Sequence, residues 1–343
     1  MKKLLLLLLF FPQAIFSQTD SLQLLMAFYN VENLFDPEDD SLTNDDDFTP
    51  DGFNHWTYYK YTKKVNNIAK VFLAMDPDSP PAIIGMAEIE NSKVLRQFCY
   101  RSPLAKYGYR YVHYDSPDVR GVDVALLYLP ERVKIKYSEP VRVVFPFEPN
   151  TKNRDILYVV AQFSNGDSLH IFINHWTSRY GGYAPTVRKR KYYAELLRHK
   201  TDSILNICPI SNILIMGDFN DYPTDESLAE ILSAANPADS SSDSKLYNLM
   251  LPIAEKNNIG SHKHEDFWGC LDQIMVSKSL LNKSNSIKIK DGEAVVFMED
   301  FMIEPDEKYG GYKTFRTFLG PRYMGGFADH LPVIVRITLS DVE

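Results

Sequence analysis

NILIMGDFNDYP, residues 212–223, is an apolar strand that stops abruptly at a polar tip. Ile213 to Met216 supply the strand, and Asp218-Phe219-Asn220 supply a carboxylate and an amide at its end. The same event recurs along the chain. LLMAFYNVENLF (24–35) reaches Asn30 and Glu32, and PAIIGMAEIEN (81–91) delivers Glu88. SLHIFINHW (168–176) ends at Asn174-His175, and LDQIMVS (271–277) carries Asp272-Gln273. GGFADHLPV (325–333) sets Asp329-His330 just before a last apolar run. A single polar strand end is an ordinary cap. Six on separate strands converge in one pocket if the strands pack in register, which is how catalytic groups are mounted on rigid scaffolds.

The rest of the chain frames these tips. Residues 58–75 carry Val65, Ile68, Ala69 and Phe72 at helical spacing, and a basic helix is expected over 186–206. ILYVVAQFS and SLHIFINHW, joined through NGD, read as a hairpin. VDVALLYLP, VKIKYSEPVRVV, LDQIMVSKSLL, KDGEAVVFM and LPVIVRITL add strands, and 233–244 reads as an exposed loop. The acidic stretch DPEDDSLTNDDDFTPDG lacks the Gly and closing Glu of a calcium EF-loop and reads as a solvated loop. So many consecutive strands exclude simple βαβ winding. The pattern is α/β, with two packed sheets and a few outer helices.

The N-terminus, MKKLLLLLLFFPQAIFSQ, has the lysines, apolar run and small residue of a secretory signal peptide. Residues 1–17 are the expected leader, and 18–343 one domain of a secreted or periplasmic protein. No later segment is apolar enough to span a membrane. The net charge of −8 becomes about −10 once Lys2 and Lys3 are removed. Such a chain does not passively attract a polyanion; a metal ion or a local basic patch must offset the charge. Cys99, Cys208 and Cys270 fit no zinc spacing and read as small apolar residues.

The tip residues suit phosphate-ester hydrolysis, which needs charge neutralisation, an oriented water and a proton source. Mg²⁺ takes oxygen ligands and needs only one or two carboxylates, so Glu88 is its natural ligand, with Glu32 and Asp329 as further candidates. Asn30 and Asn220 are suited to orienting ligands or phosphate oxygens. His175 and His330 are suited to moving protons, with Asp272 the expected partner of His330. Asp123 is a further carboxylate candidate facing His175. Arg120, Arg179, Arg188, Arg316 and Arg322 lie near the tips, where guanidinium forks suit phosphate. SHKHED offers His262 and His264 as a metal pair or, in the plainer reading, an exposed loop.

NVEN, GMAEIEN, NHW, GDFND, LDQIMVS and FADHLPV, in that order, resemble the endonuclease/exonuclease/phosphatase superfamily, the DNase I-like group, over about Phe28 to Val335. DVRGVDVALLY and EPDEKYGGYKTFRTF resemble a secreted bacterial branch of it. The resemblance implies a four-layer α/β sandwich of two mixed β-sheets flanked by helices. It implies Mg²⁺ (or Mn²⁺ or Ca²⁺) at Glu88, Glu32 and Asp329. It assigns catalysis to His175, Asp218, Asn220, Asp272 and His330. Asn30, Asn174, Arg120 and Arg179 form the expected substrate-binding set. The expected activity is a metal-dependent nuclease on DNA or RNA. The alternatives are a phosphodiesterase or phosphatase of phospholipid or inositol phosphate head groups, and a non-catalytic binding module. No stable protein partner is expected.

Overall fold

A computed structural model describes residues 21–239, 241–256 and 259–340. The expected leader, 1–17, lies outside the described residues. The first strands are Leu22–Leu34 (β1), Ile83–Ile89 (β2), Arg110–His113 (β3) and Asp123–Tyr128 (β4). Then follow Lys134–Val141 (β5), Ile156–Gln162 (β6), Ser168–His175 (β7) and Ile213–Asp218 (β8). Short strands Ala234–Ala235 (β9) and Leu246–Asn248 (β10) precede the hairpin His262–His264 (β11) and Phe267–Gly269 (β12). Asp272–Ser277 (β13) and Ile287–Val296 (β14) come next. Two small hairpins, Ile303–Pro305 (β15) with Tyr312–Thr314 (β16) and Phe318–Leu319 (β17) with Arg322–Tyr323 (β18), lead to Val333–Leu339 (β19). The long helices are Tyr58–Ala74 (α1), Ser92–Arg101 (α2) and Tyr183–Ile207 (α3).

Two mixed sheets result. One has the order β14-β19-β1-β2-β4-β3, with β1 and β2 parallel; the other has β5-β6-β7-β8-β13-β10-β9, with β7 and β8 parallel. Their faces meet, β1, β2, β4 and β19 packing on β7, β8 and β13. One buried cluster fills that interface and continues to the helical side of the first sheet, where Val65, Ile68 and Phe72 of α1 and Val94, Leu95 and Phe98 of α2 are buried. A second cluster joins Phe172, Trp176 and Ile215 to Tyr193, Ala194 and Leu197 of α3. The outcome is the expected four-layer sandwich: helices, sheet, sheet, helix.

Local chemistry sets the element ends. The Thr57 side chain accepts from the Lys60 amide and caps α1; the Asn91 side chain accepts from Lys93 and Val94 and caps α2. The chain leaves β13 at Ser277, and Lys278–Leu281 forms a single helical turn instead of prolonging the strand. Cys99 and Cys270 are buried as read from the sequence, whereas Cys208 is exposed, and all three are free thiols. Among the described residues no helix is long and apolar enough to cross a membrane.

Candidate active site

Strand register assembles the site. In the second sheet His175 lies opposite Asp218, and Asp218 lies opposite Asp272, so three functional residues sit abreast on β7, β8 and β13. The first sheet brings Asn30 across to them: its Nδ2 donates to Asp218 Oδ2 at 3.1 Å, a buried hydrogen bond between the sheets. Bulges do the rest. Pairing shifts between Asn30 and Leu34 on β1, and between Ala87 and Ile89 on β2. At these bulges Glu32, Asn33 and Glu88 adopt φ of +54°, +50° and +62°, and Asn220 follows β8 with +51°. Non-glycine residues rarely take this left-handed conformation. Its recurrence at four tip residues marks backbone strain held to aim side chains.

His330 is the electrostatic centre. Its Nδ1 lies 2.6 Å from Asp272 Oδ2, and its Nε2 faces Asp218 Oδ2 at 3.9 Å and Asp329 Oδ1 at 4.0 Å. Burial works against its charge, but Asp272, Asp218 and Asp329 outweigh burial and raise its pKa well above that of free imidazole. It is therefore a cation at neutral pH. Burial raises Asp218, opposed by the His330 charge, so Asp218 is a stronger base than a solvated carboxylate. Burial, then Arg154, Arg120 and His330, push His175 well below the usual range, leaving it neutral. His175 Nε2 stands 3.8 Å from Glu88 Oε1 and 3.7 Å from Asp218 Oδ2.

Glu88 and Glu32 divide the remaining work. Glu88 Oε2 accepts from the Asn33 amide at 2.7 Å, and Arg120 Nη2 approaches that oxygen at 3.8 Å while also bonding Asn33 Oδ1. Glu88 Oε1 has no hydrogen bond among the described residues. Glu32 is fully engaged. Arg316 Nε donates to its Oε1 at 3.0 Å, and the Thr317 amide donates to its Oε2 at 2.9 Å. Buried Lys64 lies 3.8 Å away and also donates to Thr317 Oγ1 at 2.6 Å. Arg316 Nη2 also holds Asp329 Oδ2 at 2.8 Å. Glu88 with a free carboxylate oxygen, Asp329 Oδ1, and Asn30 Oδ1, which also accepts from the Glu32 amide at 3.1 Å, are oxygen donors of the kind a hard divalent cation takes. Glu32, another expected ligand, is also a buried counter-charge that fixes Arg316. Histidine-bearing clusters such as His262, Asp329 and His330 also gather within 4.8 Å. The Asp272, Asp218 and Asp329 carboxylates favour the charged form of His330 there, and a metal-bound imidazole must be neutral, so protonation and metal binding compete at this ring.

Other expectations are corrected by placement. Asn174 was expected to bind substrate, yet it is fully buried: its Nδ2 faces Phe172 O and Met216 O, and its Oδ1 accepts from Trp176 Nε1 at 3.1 Å. It pins the Trp176 core and has no group left for a ligand. Arg179 donates to the Asn220 carbonyl at 2.7 Å and pairs with Asp221 and Asp225, so it shapes the loop that carries Asn220. Asp123 does not face His175; its oxygens bond His113 at 2.9 Å and the Ser116 amide at 2.9 Å. Arg188 stacks over Phe147. His262 and His264 lie on the same face of β11, and the His262 ring is the one in contact with the site, 4.8 Å from that of His330. Burial, then His330, push His262 down to about 3. Lys64 was missed altogether. Its signal was a charge on the apolar stripe of α1, between Tyr61 and Val65.

Beyond the Glu88 side the wall is acidic. Asp36, Glu38, Asp39, Asp40, Glu90, Asp115 and Asp123 line one cavity of about 520 Å³, together with Lys93 and Arg96. Glu90 is pushed up to about 8 by burial, with Asp36 and Asp45 adding to it. Folded Glu90 thus binds its proton more tightly than unfolded Glu90. Between the two pKa values the native state holds more protons, so stability falls as pH rises. Glu90→Gln is expected to remove a loss on the order of 3 kcal/mol between pH 5 and pH 8. Urea unfolding at both pH values checks this; an unchanged pH slope in the variant contradicts it.

The chain belongs to the Endonuclease/Exonuclease/phosphatase family, which matches residues 25–339. No protein of curated function matches it in sequence. Solved structures share its fold at low identity. A Bacteroides thetaiotaomicron endonuclease/exonuclease/phosphatase family protein is 17% identical with a TM-score of 0.56, covering 94% of this chain and 100% of that one. A humanized Danio rerio TDP2 is 13% identical with a TM-score of 0.55, covering 92% and 98%. The B. thetaiotaomicron mannosyl-6-phosphatase Bt3783 is 18% identical with a TM-score of 0.55, covering 92% and 99%.

Proposed function

We propose that this protein is an exported, divalent-metal-dependent phosphoesterase that hydrolyses a phosphate ester by attack of water. The observation that carries the reading is the buried Asp272–His330–Asp218 line set against Glu88 across the two sheets. Protonated His330 donates from Nε2 to a phosphate oxygen and offsets its growing charge. Asp218, made more basic by burial and oriented by Asn30 and the Asn220 amide, takes the proton of the attacking water, while the departing oxygen takes a proton from solvent water and leaves as the alcohol. Neutral His175 offers Nε2 between Glu88 and Asp218. Glu88, Asn30 and Asp329 are the residues that would hold Mg²⁺. When bound, the ion supplies positive charge to the phosphate oxygens.

Electrostatics favours a compact phosphate ester over a long polyanion. Arg179, Arg190 and Arg316 are each paired with carboxylates, and Lys64 is buried against Glu32. Arg120, half-exposed beside Glu88, is the cation best placed for a ligand. The net charge of −8 disfavours a strand carrying many phosphates. Nucleic acid is the second reading. It is supported by the exposed rings of Tyr180 and Tyr183, which follow the His175 tip and suit base stacking, and by a D. rerio TDP2 structure with single strand DNA product. Export rests on the leader-like residues 1–17.

The test is phosphate release from small monoesters, and cutting of plasmid and single-stranded DNA, with Mg²⁺ and with EDTA. Metal-dependent turnover of either kind supports the phosphoesterase reading, and their relative rates choose the substrate. A folded protein that turns over neither overturns it. Glu88→Gln is expected to weaken Mg²⁺ binding by at least about 10-fold in calorimetric titration. Equal affinity in the variant would move the metal away from Glu88.

A further inference from the structure

The β11–β12 hairpin is built against the catalytic tips. The Ser261 carbonyl accepts from the Leu331 amide at 2.6 Å, and its Oγ accepts from the Asp272 amide at 2.9 Å. One residue thus clamps the hairpin to Asp272 and to Leu331, the neighbour of His330, and His262 forms a backbone bridge with His330. Lys263 points the other way, into a buried 2.8 Å ion pair with Asp306, which fixes which face looks at the site.

That face carries His262 and His264 on β11 and Phe267 and Gly269 on β12, since His262 pairs with Gly269 and His264 with Phe267. Gly269 is required: a Cβ there would meet the Tyr222 ring at 2.3 Å. The Tyr222 ring therefore lies on the hairpin face directly opposite His262, two residues beyond Asn220. Phe267 stands edge-on to it at 5.7 Å, with 44% of its surface exposed. The His262 ring is half-buried and 4.8 Å from the His330 ring, yet its nitrogens make no hydrogen bond among the described residues. A polar ring so placed beside a charged catalytic imidazole has a donor and an acceptor free for a ligand.

We propose that His262 is a specificity-determining residue that hydrogen-bonds a hydroxyl on the alcohol half of the ester, while the exposed Phe267 ring, propped by Tyr222 under Arg179, receives the flat face of that half; the substrate class is a phosphorylated sugar. The assignment rests on the phosphoesterase reading and deepens it. A hydroxyl both gives and takes a hydrogen bond, which matches an imidazole with both functions open. An exposed aromatic edge next to it suits the apolar face of a pyranose. The reacting phosphate stays with His330, so His262 reads the leaving alcohol and takes no part in proton transfer.

Glucose 6-phosphate and cyclohexylmethyl phosphate, with the same ring shape and with or without hydroxyls, form the test pair. The wild type is expected to favour the sugar ester in kcat/KM by about 10-fold or more, as expected when a site built for a hydroxyl meets an analogue lacking it. In His262→Ala that ratio falls toward one. His262→Asn, which keeps a donor and an acceptor, recovers part of it and serves if the alanine variant folds poorly. Phe267→Ala raises KM for both esters. A ratio that is unchanged in His262→Ala, or a wild type without preference, overturns the assignment. A wild type that cuts only DNA also overturns it while leaving the phosphoesterase reading standing. A wild type that turns over no ester and no DNA removes both.

Discussion

His330→Ala is expected to lower kcat by about 10³-fold, the middle of the range for a positioned acid or base. The argument is electrostatic. His330 is buried, yet held as a cation by Asp272 at 2.6 Å and by Asp218 and Asp329 near 4 Å. Alanine removes the only charge-bearing donor in that line and leaves Asp272 and Asp218 buried without it. Asp272→Asn is the sharper companion, because it keeps the shape and removes the charge that holds the imidazolium. Its rate is expected to fall by about 10²-fold or more. Steady-state kinetics with saturating Mg²⁺ decides the matter. A His330→Ala enzyme within 10-fold of wild type would relocate the chemistry.

Lys64→Met is expected to cost about 3 kcal/mol of folding stability, which is large beside the 5–15 kcal/mol that holds a typical domain together. Lys64 is fully buried, and burial lowers its pKa while Glu32 opposes that effect. Methionine fills the volume but strands the Glu32 carboxylate, which already costs energy to bury. The cost arises from the orphaned partner, not from the pair itself. Lys64→Met combined with Glu32→Gln should therefore be clearly more stable than the sum of the single changes. Urea midpoints of the four proteins give this coupling. Additive effects would show that Arg316 and Thr317 satisfy Glu32 alone.

The polar tips were legible because each follows a strand whose period and apolar run are written in consecutive residues. The order of tips gave the sandwich, and the Asp272–His330 pairing was found as read. What stayed hidden was side-chain direction. Asn174 and His175 are neighbours in sequence, but alternation along β7 sends one into the Trp176 core and the other into the site. Glu32 is identical in type to Glu88, and only the bulge on β1 and the distant Arg316 show that it also acts as a counter-charge. The left-handed φ at Glu88 and Asn220 has no signature in residues that are not glycine. His262 was hidden for a related reason: a two-stranded hairpin of three residues a side is too short for a visible period.

β1 and β19 lie side by side, with Leu22 opposite Leu339. The first strand of the described chain is thus paired with the last, and the Asn30–Asp218 hydrogen bond spans 188 positions of sequence. A chain being synthesised cannot assemble this site piecemeal. Until residues 329–339 emerge there is no His330, no strand to join β14 to β1 in the first sheet, and no imidazole for Asp272 to hold. The Asp272–His330 pair therefore forms only after the segment that carries β19 is in place.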